Sequence, residues 1–200
     1  MLMLLTLNSM KNVPILGIQT GRRLGLISDP IINPDNLQIA AWYVTGKMVG
    51  FSPAVIFSED IHELGHLGAI IDSASSILSL DNLVRLQEIL DSNFSLLNLP
   101  VINTDGQKLG KVDDFNFDSD YFLVKQIIVK PKLTQRLKIS HFIINRNQII
   151  DVDNKKIIVD SGIKKVIAPK KTSRKVSKMK STKPKAPRTS TAPMPETKQL

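Results

Sequence analysis

The sequence predicts a mainly β protein: two small β-barrels in tandem, joined by one amphipathic helix and followed by a disordered C-terminal tail. Three observations carry this. Gly21-Arg22-Arg23-Leu24-Gly25-Leu26-Ile27-Ser28-Asp29 and Gly106-Gln107-Lys108-Leu109-Gly110-Lys111-Val112-Asp113-Asp114 share two glycines, a leucine, a β-branched residue and an aspartate in the same places. The offset of 85 residues that separates Gly21 from Gly106 also carries Leu37–Val44 onto Phe122–Val129, so one module is written twice. Turn residues punctuate both copies every eight to twelve residues or so, the spacing of a small strand-built fold. The expected division is residues 1–76 for the first repeat, 77–96 for the linking helix, 97–168 for the second repeat and 169–200 for the tail.

In the first copy, Thr20-Gly21 is a turn and Leu24–Ile27 a short strand, which Asp29-Pro30 is expected to break because proline biases its predecessor away from helix and toward a turn. Asn33-Pro34-Asp35-Asn36 is a second turn. Leu37–Val44 is the long central strand, and Val55–Ser58 and Ala69–Asp72 close the module. In the second copy Val101-Ile102 is a strand, Asp105-Gly106 a hairpin signal, and Leu109–Val112 the next strand. Asp113–Asp120 reads as an acidic turn region, Tyr121–Val129 as the long strand, with Leu137–Ser140 after it. Gln148–Val152 and Lys156–Val159 form a final hairpin. Gly21 and Gly25 are expected to supply positive φ in a turn and room for a close strand.

Between the copies, Asp81–Ser92 is the helix. Leu80, Leu83, Val84, Leu86, Leu90 and Phe94 fall on one side at 100° per residue, with Ile89 off that face. The stripe must be buried, either between the two barrels or as a dimer surface.

Charge divides the chain. Of 27 basic and 18 acidic side chains, ten basic and one acidic (Glu196) lie in residues 170–200, leaving 17 of each before them. The tail, rich in Lys, Pro, Ser and Thr, cannot bury enough apolar surface to fold. Lys170, Lys171, Arg174, Lys175, Lys178, Lys180, Lys183, Lys185 and Arg188 make it a candidate for contact with RNA, DNA or another polyanion; the bland reading is a solubilising tail. The absence of aromatics there argues against base stacking. There is no cysteine, which excludes disulfides, thiolate chemistry and Cys-based zinc sites. Met1–Leu7 is apolar but too short to span a membrane and lacks signal-peptide flanks, so a first strand and a cytoplasmic setting are expected.

His62-Glu63-Leu64-Gly65-His66 matches H-E-x-x-H. On a helix, His62 and His66 would share one face, bind zinc and let Glu63 polarise a metal-bound water, with Asp72 conceivable as a third ligand. The repeat places this stretch in strand and turn, and Gly65 and Gly68 oppose a helix by about 1 kcal/mol each relative to alanine. A zinc hydrolase is therefore the alternative, and a turn with two polar histidines the main expectation. His141 stands alone. Asp113, Asp114, Asp118 and Asp120 lack the glycine and closing glutamate of a calcium loop and read as a solvated acidic edge. No nucleophile–base pair stands out, and the paired glycines are not followed by a helix that would cradle phosphate.

Pro14-Ile15-Leu16 and Pro100-Val101-Ile102, the G-x-x-L-G-x-[IV]-x-D runs, the long strands, and Ile70-Ile71-Asp72 beside Ile149-Ile150-Asp151 together resemble the PRC-barrel family. That family is named for the cytoplasmic domain of the photosynthetic reaction centre H subunit and also forms the C-terminal domain of the bacterial ribosome maturation factor. The resemblance implies a tandem pair of docking or assembly modules without catalytic residues or cofactor. The expected function is that of a non-enzymatic adaptor binding protein or ribonucleoprotein partners, or else a homo-oligomeric structural protein. It does not name the partner.

Overall fold

Fourteen strands in two sheets follow from the alternating apolar runs; the computed structural model describes residues 3–131 and 141–162. Strand β1 (Leu4–Thr6) and a one-turn helix α1 (Leu7–Met10) precede the first repeat. Its strands are β2 (Pro14–Gly17), β3 (Arg23–Asn33), β4 (Gln38–Thr45), β5 (Ala54–Phe57), β6 (Ile61–Gly65) and β7 (Gly68–Ile71). A two-residue strand β8 (Leu78–Ser79), a 3-10 turn (Leu80–Asn82) and helix α2 (Val84–Asp91) lead to the second repeat. That repeat contains β9 (Pro100–Asn103), β10 (Lys108–Asp118), β11 (Val124–Pro131), β12 (Phe142–Asn145), β13 (Ile149–Val152) and β14 (Ile157–Val159).

The two copies share one topology. The first sheet runs β6-β7-β2-β3-β4-β5-β8 and the second β13-β14-β9-β10-β11-β12, with β1 added to β10. In each, the first strand pairs in parallel with the last, β2 with β7 and β9 with β14, while the other pairs within each copy are antiparallel. Register repeats as well. Ile27 faces Val44 as Val112 faces Val129, and Ile32 faces Ile39 as Phe117 faces Val124. Both long hairpins slip by one residue at the same place, between Ile31 and Ile32 and between Asn116 and Phe117. A bulge of this kind inserts an unpaired residue and reverses which face the following side chains address. It lets Ile39, Trp42 and Val44, and likewise Val124, Ile127 and Val129, all enter the main core despite their mixed parity.

Several expectations need correction. Neither sheet closes into a barrel. Each curls back on itself: in the first, β5 and β6 lie far apart in the strand order yet are joined by the three-residue 3-10 turn Ser58–Asp60, and in the second Arg146–Gln148 joins β12 to β13 in the same way. In the first sheet β8 takes the outer edge of β5, pairing Val55 with Leu78. Asp29-Pro30 does not end β3; the strand passes through it at a bulge between Ile27 and Pro30, where proline is tolerated. Ile70-Ile71-Asp72 is not the counterpart of Ile149-Ile150-Asp151: by pairing, Gly68–Ile71 corresponds to Ile157–Val159, and Ile149–Val152 corresponds to Ile61–Gly65. The expected strand Leu137–Ser140 lies outside the described residues.

The two halves share one core. Trp42 and Phe117 meet with ring centroids 5.6 Å apart, and Phe115 lies 6.3 Å from Phe117. Leu5, Ile15, Ile39, Val101 and Ile144 are sealed into the same cluster. The backbone contact between halves is reciprocal: Ile39 N–H donates to Phe122 O at 2.8 Å, and Val124 N–H to Leu37 O at 3.0 Å. Each acceptor residue has left-handed backbone, at φ 52° for Leu37 and 54° for Phe122. Reciprocity of this kind marks an isologous contact, such as two subunits make about a two-fold axis.

Helix α2 does not lie between the halves. Leu86, Leu83, Ile89 and Leu90 pack on the outer face of the first sheet against Ile31, Ala41 and Val55. Val84, expected in the stripe, is 78% exposed, because it stands about 200° from Leu86 around the helix, whereas Ile89 packs.

Candidate functional site

Ile61–Gly65 and Gly68–Ile71 form a hairpin in which Gly65 faces Gly68, so His66-Leu67 is a two-residue turn. This fixes the fate of the H-E-x-x-H motif. In a strand, residues four apart stand about 13 Å apart, so His62 and His66 do not share a metal. His62 Nε2 instead meets Asp72 Oδ1 at 2.8 Å. Among the described residues no group of three or more histidines and carboxylates is placed to hold a metal ion.

The same hairpin forms one wall of a cleft of about 860 Å³, lined also by Met3, Leu16, Ile70, Ser119 and Asp120. Two of its apolar side chains are open to solvent: Leu67 is 92% exposed and Met3 41%. Ser119 and Asp120 come from the turn after β10 of the other repeat, held there by Ser119 N–H donating to Met3 O at 3.1 Å. A topologically equivalent cleft of about 460 Å³ sets Pro34-Asp35, the matching turn of the first repeat, against Ile149–Val152, the matching strand of the second. There Arg146 lines the cleft and donates from Nη2 to Asn36 O at 2.7 Å. Duplication thus produced two equivalent clefts, one apolar and one polar.

Carboxylates gather beside the apolar cleft. Burial pushes the Asp60 carboxyl above its ordinary value of 3.8, Glu59 and Asp72 push it further, and His62 opposes them. Folded Asp60 therefore holds its proton to higher pH than in the unfolded chain, so its contribution to stability declines as pH rises through 3.8 toward the raised value. Asp60→Asn is expected to raise the thermal unfolding midpoint at pH 7 and leave it nearly unchanged at pH 3, which a melting series across pH would read.

Of the four aspartates of the second repeat, Asp120 lies in an exposed turn and Asp113 is exposed on a strand, but the other two depart from a solvated edge. Asp113 and Asp114 lie within β10 and Asp118 ends it, and Asp114 and Asp118 are buried. Asp118 Oδ1 accepts the Asp120 N–H at 2.9 Å, as Asn33 Oδ1 accepts Asp35 N–H at 2.9 Å in the first repeat. Its other oxygen faces Lys125 Nζ at 3.7 Å. Asp114 Oδ2 accepts from Asn8 Nδ2 at 2.7 Å. These are structural roles, tying the turn and the N-terminal segment to β10. His141 Nε2 lies 3.4 Å from Asp113 Oδ2, next to Lys130 at 3.6 Å from Asp113 Oδ1. Lys170, Lys171, Arg174, Lys175, Lys178, Lys180, Lys183, Lys185 and Arg188 lie outside the described residues.

Sequence reasoning missed Leu67, Leu16 and Met3 as surface features. A leucine at the tip of a two-residue turn, where glycine, asparagine or aspartate is usual, was the available signal.

Residues 91–166 match the family model of the PRC-barrel domain. A PRC-barrel domain is present. The match spans β9 to β14, the repeat in which the glycine motif is followed by the long hairpin and the parallel closing strand. No curated protein matches the chain. Among the described residues, no helix is long and apolar enough to cross a membrane.

Proposed function

We propose that the chain is a non-enzymatic adaptor: two PRC-barrel modules, the first in residues 1–76 and the second matched by the family model, that hold a protein or ribonucleoprotein partner on their outer surfaces. Support for the first module comes from the shared strand order, register and bulge positions. The observation that carries the docking reading is the filled interior. Trp42, Phe115 and Phe117 are fully buried and occupy the space between the sheets, so the accessible features are clefts at the surface. The basic tail adds attraction for a polyanion, and a cytoplasmic setting fits the absence of cysteine.

One experiment with two arms tests this. The full chain and a chain ending before Lys170 are cross-linked in the native cell and purified. A stoichiometric protein is expected on both. Nucleic acid is expected only on the full chain, released steeply as salt rises, since each neutralised phosphate contributes to the salt slope. A chain recovered alone in both arms would remove the adaptor reading; nucleic acid retained equally without the tail would remove the polyanion role.

A further inference from the structure

The cleft on the β6–β7 hairpin carries more information than a surface depression. Leu67 is 92% exposed, and Leu16 and Met3 flank it at 36% and 41%. The core does not need these side chains, since Leu64 and Ala69 fill it beneath the His66-Leu67 turn. The equivalent cleft of the second repeat is polar, so the apolar character belongs to this site and not to the module. The charges point one way. Among the described residues the lining holds the carboxylates of Glu63 and Asp120, the imidazoles of His62 and His66, and no lysine or arginine. Asp60 and Asp72 stand close by, near enough that the carboxylate of Asp72 raises the pKa of Asp60. Finally, β6 ends its sheet and pairs only with β7 among the described strands, leaving one row of backbone donors and acceptors available.

We propose, building on the adaptor reading, that this cleft receives an extended segment of a partner protein in which an apolar side chain stands next to lysine or arginine. The segment adds to the free edge of β6. Its apolar side chain lies against Leu67, Leu16 and Met3, and its cation meets Glu63 and Asp120. Main-chain hydrogen bonds supply affinity and the side-chain pockets supply selectivity, as in other strand additions. An acidic segment is refused by the same carboxylates.

The test is selection of peptides from a random display library on the full chain, at about 0.3 M salt to suppress long-range attraction. Counter-selection uses the Leu67→Asp chain, whose fold is checked by its unfolding midpoint. Selected peptides are expected to combine Lys or Arg with Leu, Ile, Val or Phe, and to lose at least about tenfold in affinity both to Leu67→Asp and to Glu63→Lys, a drop of about 1.4 kcal/mol. Acidic peptides, or peptides indifferent to both substitutions, would overturn the cleft while leaving an adaptor that docks elsewhere. Sedimentation showing a dimer dispersed by Leu67→Asp would give the cleft to a second copy of the chain and overturn the proposal. A library yielding no binder would overturn it too, while the adaptor reading stands or falls by the co-purification from the native cell.

Discussion

Trp42→Ala is expected to destabilise the protein by about 3–5 kcal/mol, the range for removing a large aromatic from a sealed core. Trp42 is fully buried and touches Phe117 of the other half, so the cavity opens at the seam between the repeats. The sharper expectation concerns cooperativity. Because Leu5, Ile15 and Trp42 share one cluster with Val101, Phe115 and Ile144, both sheets should lose stability together. Urea unfolding followed by circular dichroism, with amide exchange read separately in β4 and β11, checks this. Separate midpoints for the two sheets, with only the first shifted, would contradict the shared core. Val84→Ala, at an exposed helix position, should change stability by no more than about 0.5 kcal/mol.

Gly110→Ala should be nearly as damaging, at about 3 kcal/mol. A Cβ at Gly110 would overlap the Lys130 carbonyl oxygen across the β10–β11 hairpin, and a backbone atom in a paired strand has little freedom to retreat. The matching Gly25 is less constrained. Its nearest neighbours would be Val44 Cγ1 at 2.8 Å and the Thr45 carbonyl oxygen at 3.1 Å, a lesser overlap than at Gly110, so Gly25→Ala should cost less. Gly21→Ala should cost about 1 kcal/mol for a different reason: the site has open space around it but φ of +61°. Denaturant midpoints for the three variants should therefore rank Gly110 well below Gly25 and Gly21.

The repeat was legible because it rests on residues that the backbone demands. Gly21 and Gly106 both adopt positive φ, and Gly25 and Gly110 both face a close neighbouring strand, so their spacing survived in the sequence. The long strand was legible from Leu37–Val44, yet its facing was not. In Ile39-Ala40-Ala41-Trp42 the bulge shifts the alternation by one, and an insertion of this kind leaves no mark on composition. The same blindness made Asp113–Asp120 look like a loop, since a buried carboxylate differs from a solvated one only by partners distant in sequence, such as Asn8 and Lys125. Helix α2 was legible in place but not in phase, because Leu80–Asn82 is a 3-10 turn and the helical count starts later than Asp81. For the candidate site, H-E-x-x-H drew attention to the correct hairpin for a chemistry that a strand does not support. The cleft itself joins Leu16, Leu67 and Asp120 from three distant places, which no local pattern reports.

The pairing of β1 with β10 has a consequence for how the molecule is made. Leu4 and Thr6 pair opposite Asp118 and Asn116, so β1 has no place in a sheet until β10, far along the chain, has been made. During that interval Leu5, fully enclosed at the end, is an apolar side chain in water. Such distant closure slows folding, since chain entropy must be lost before the contact repays it. Once β10 is present, β1 ties the N-terminal segment to the second sheet, a clasp across the two halves.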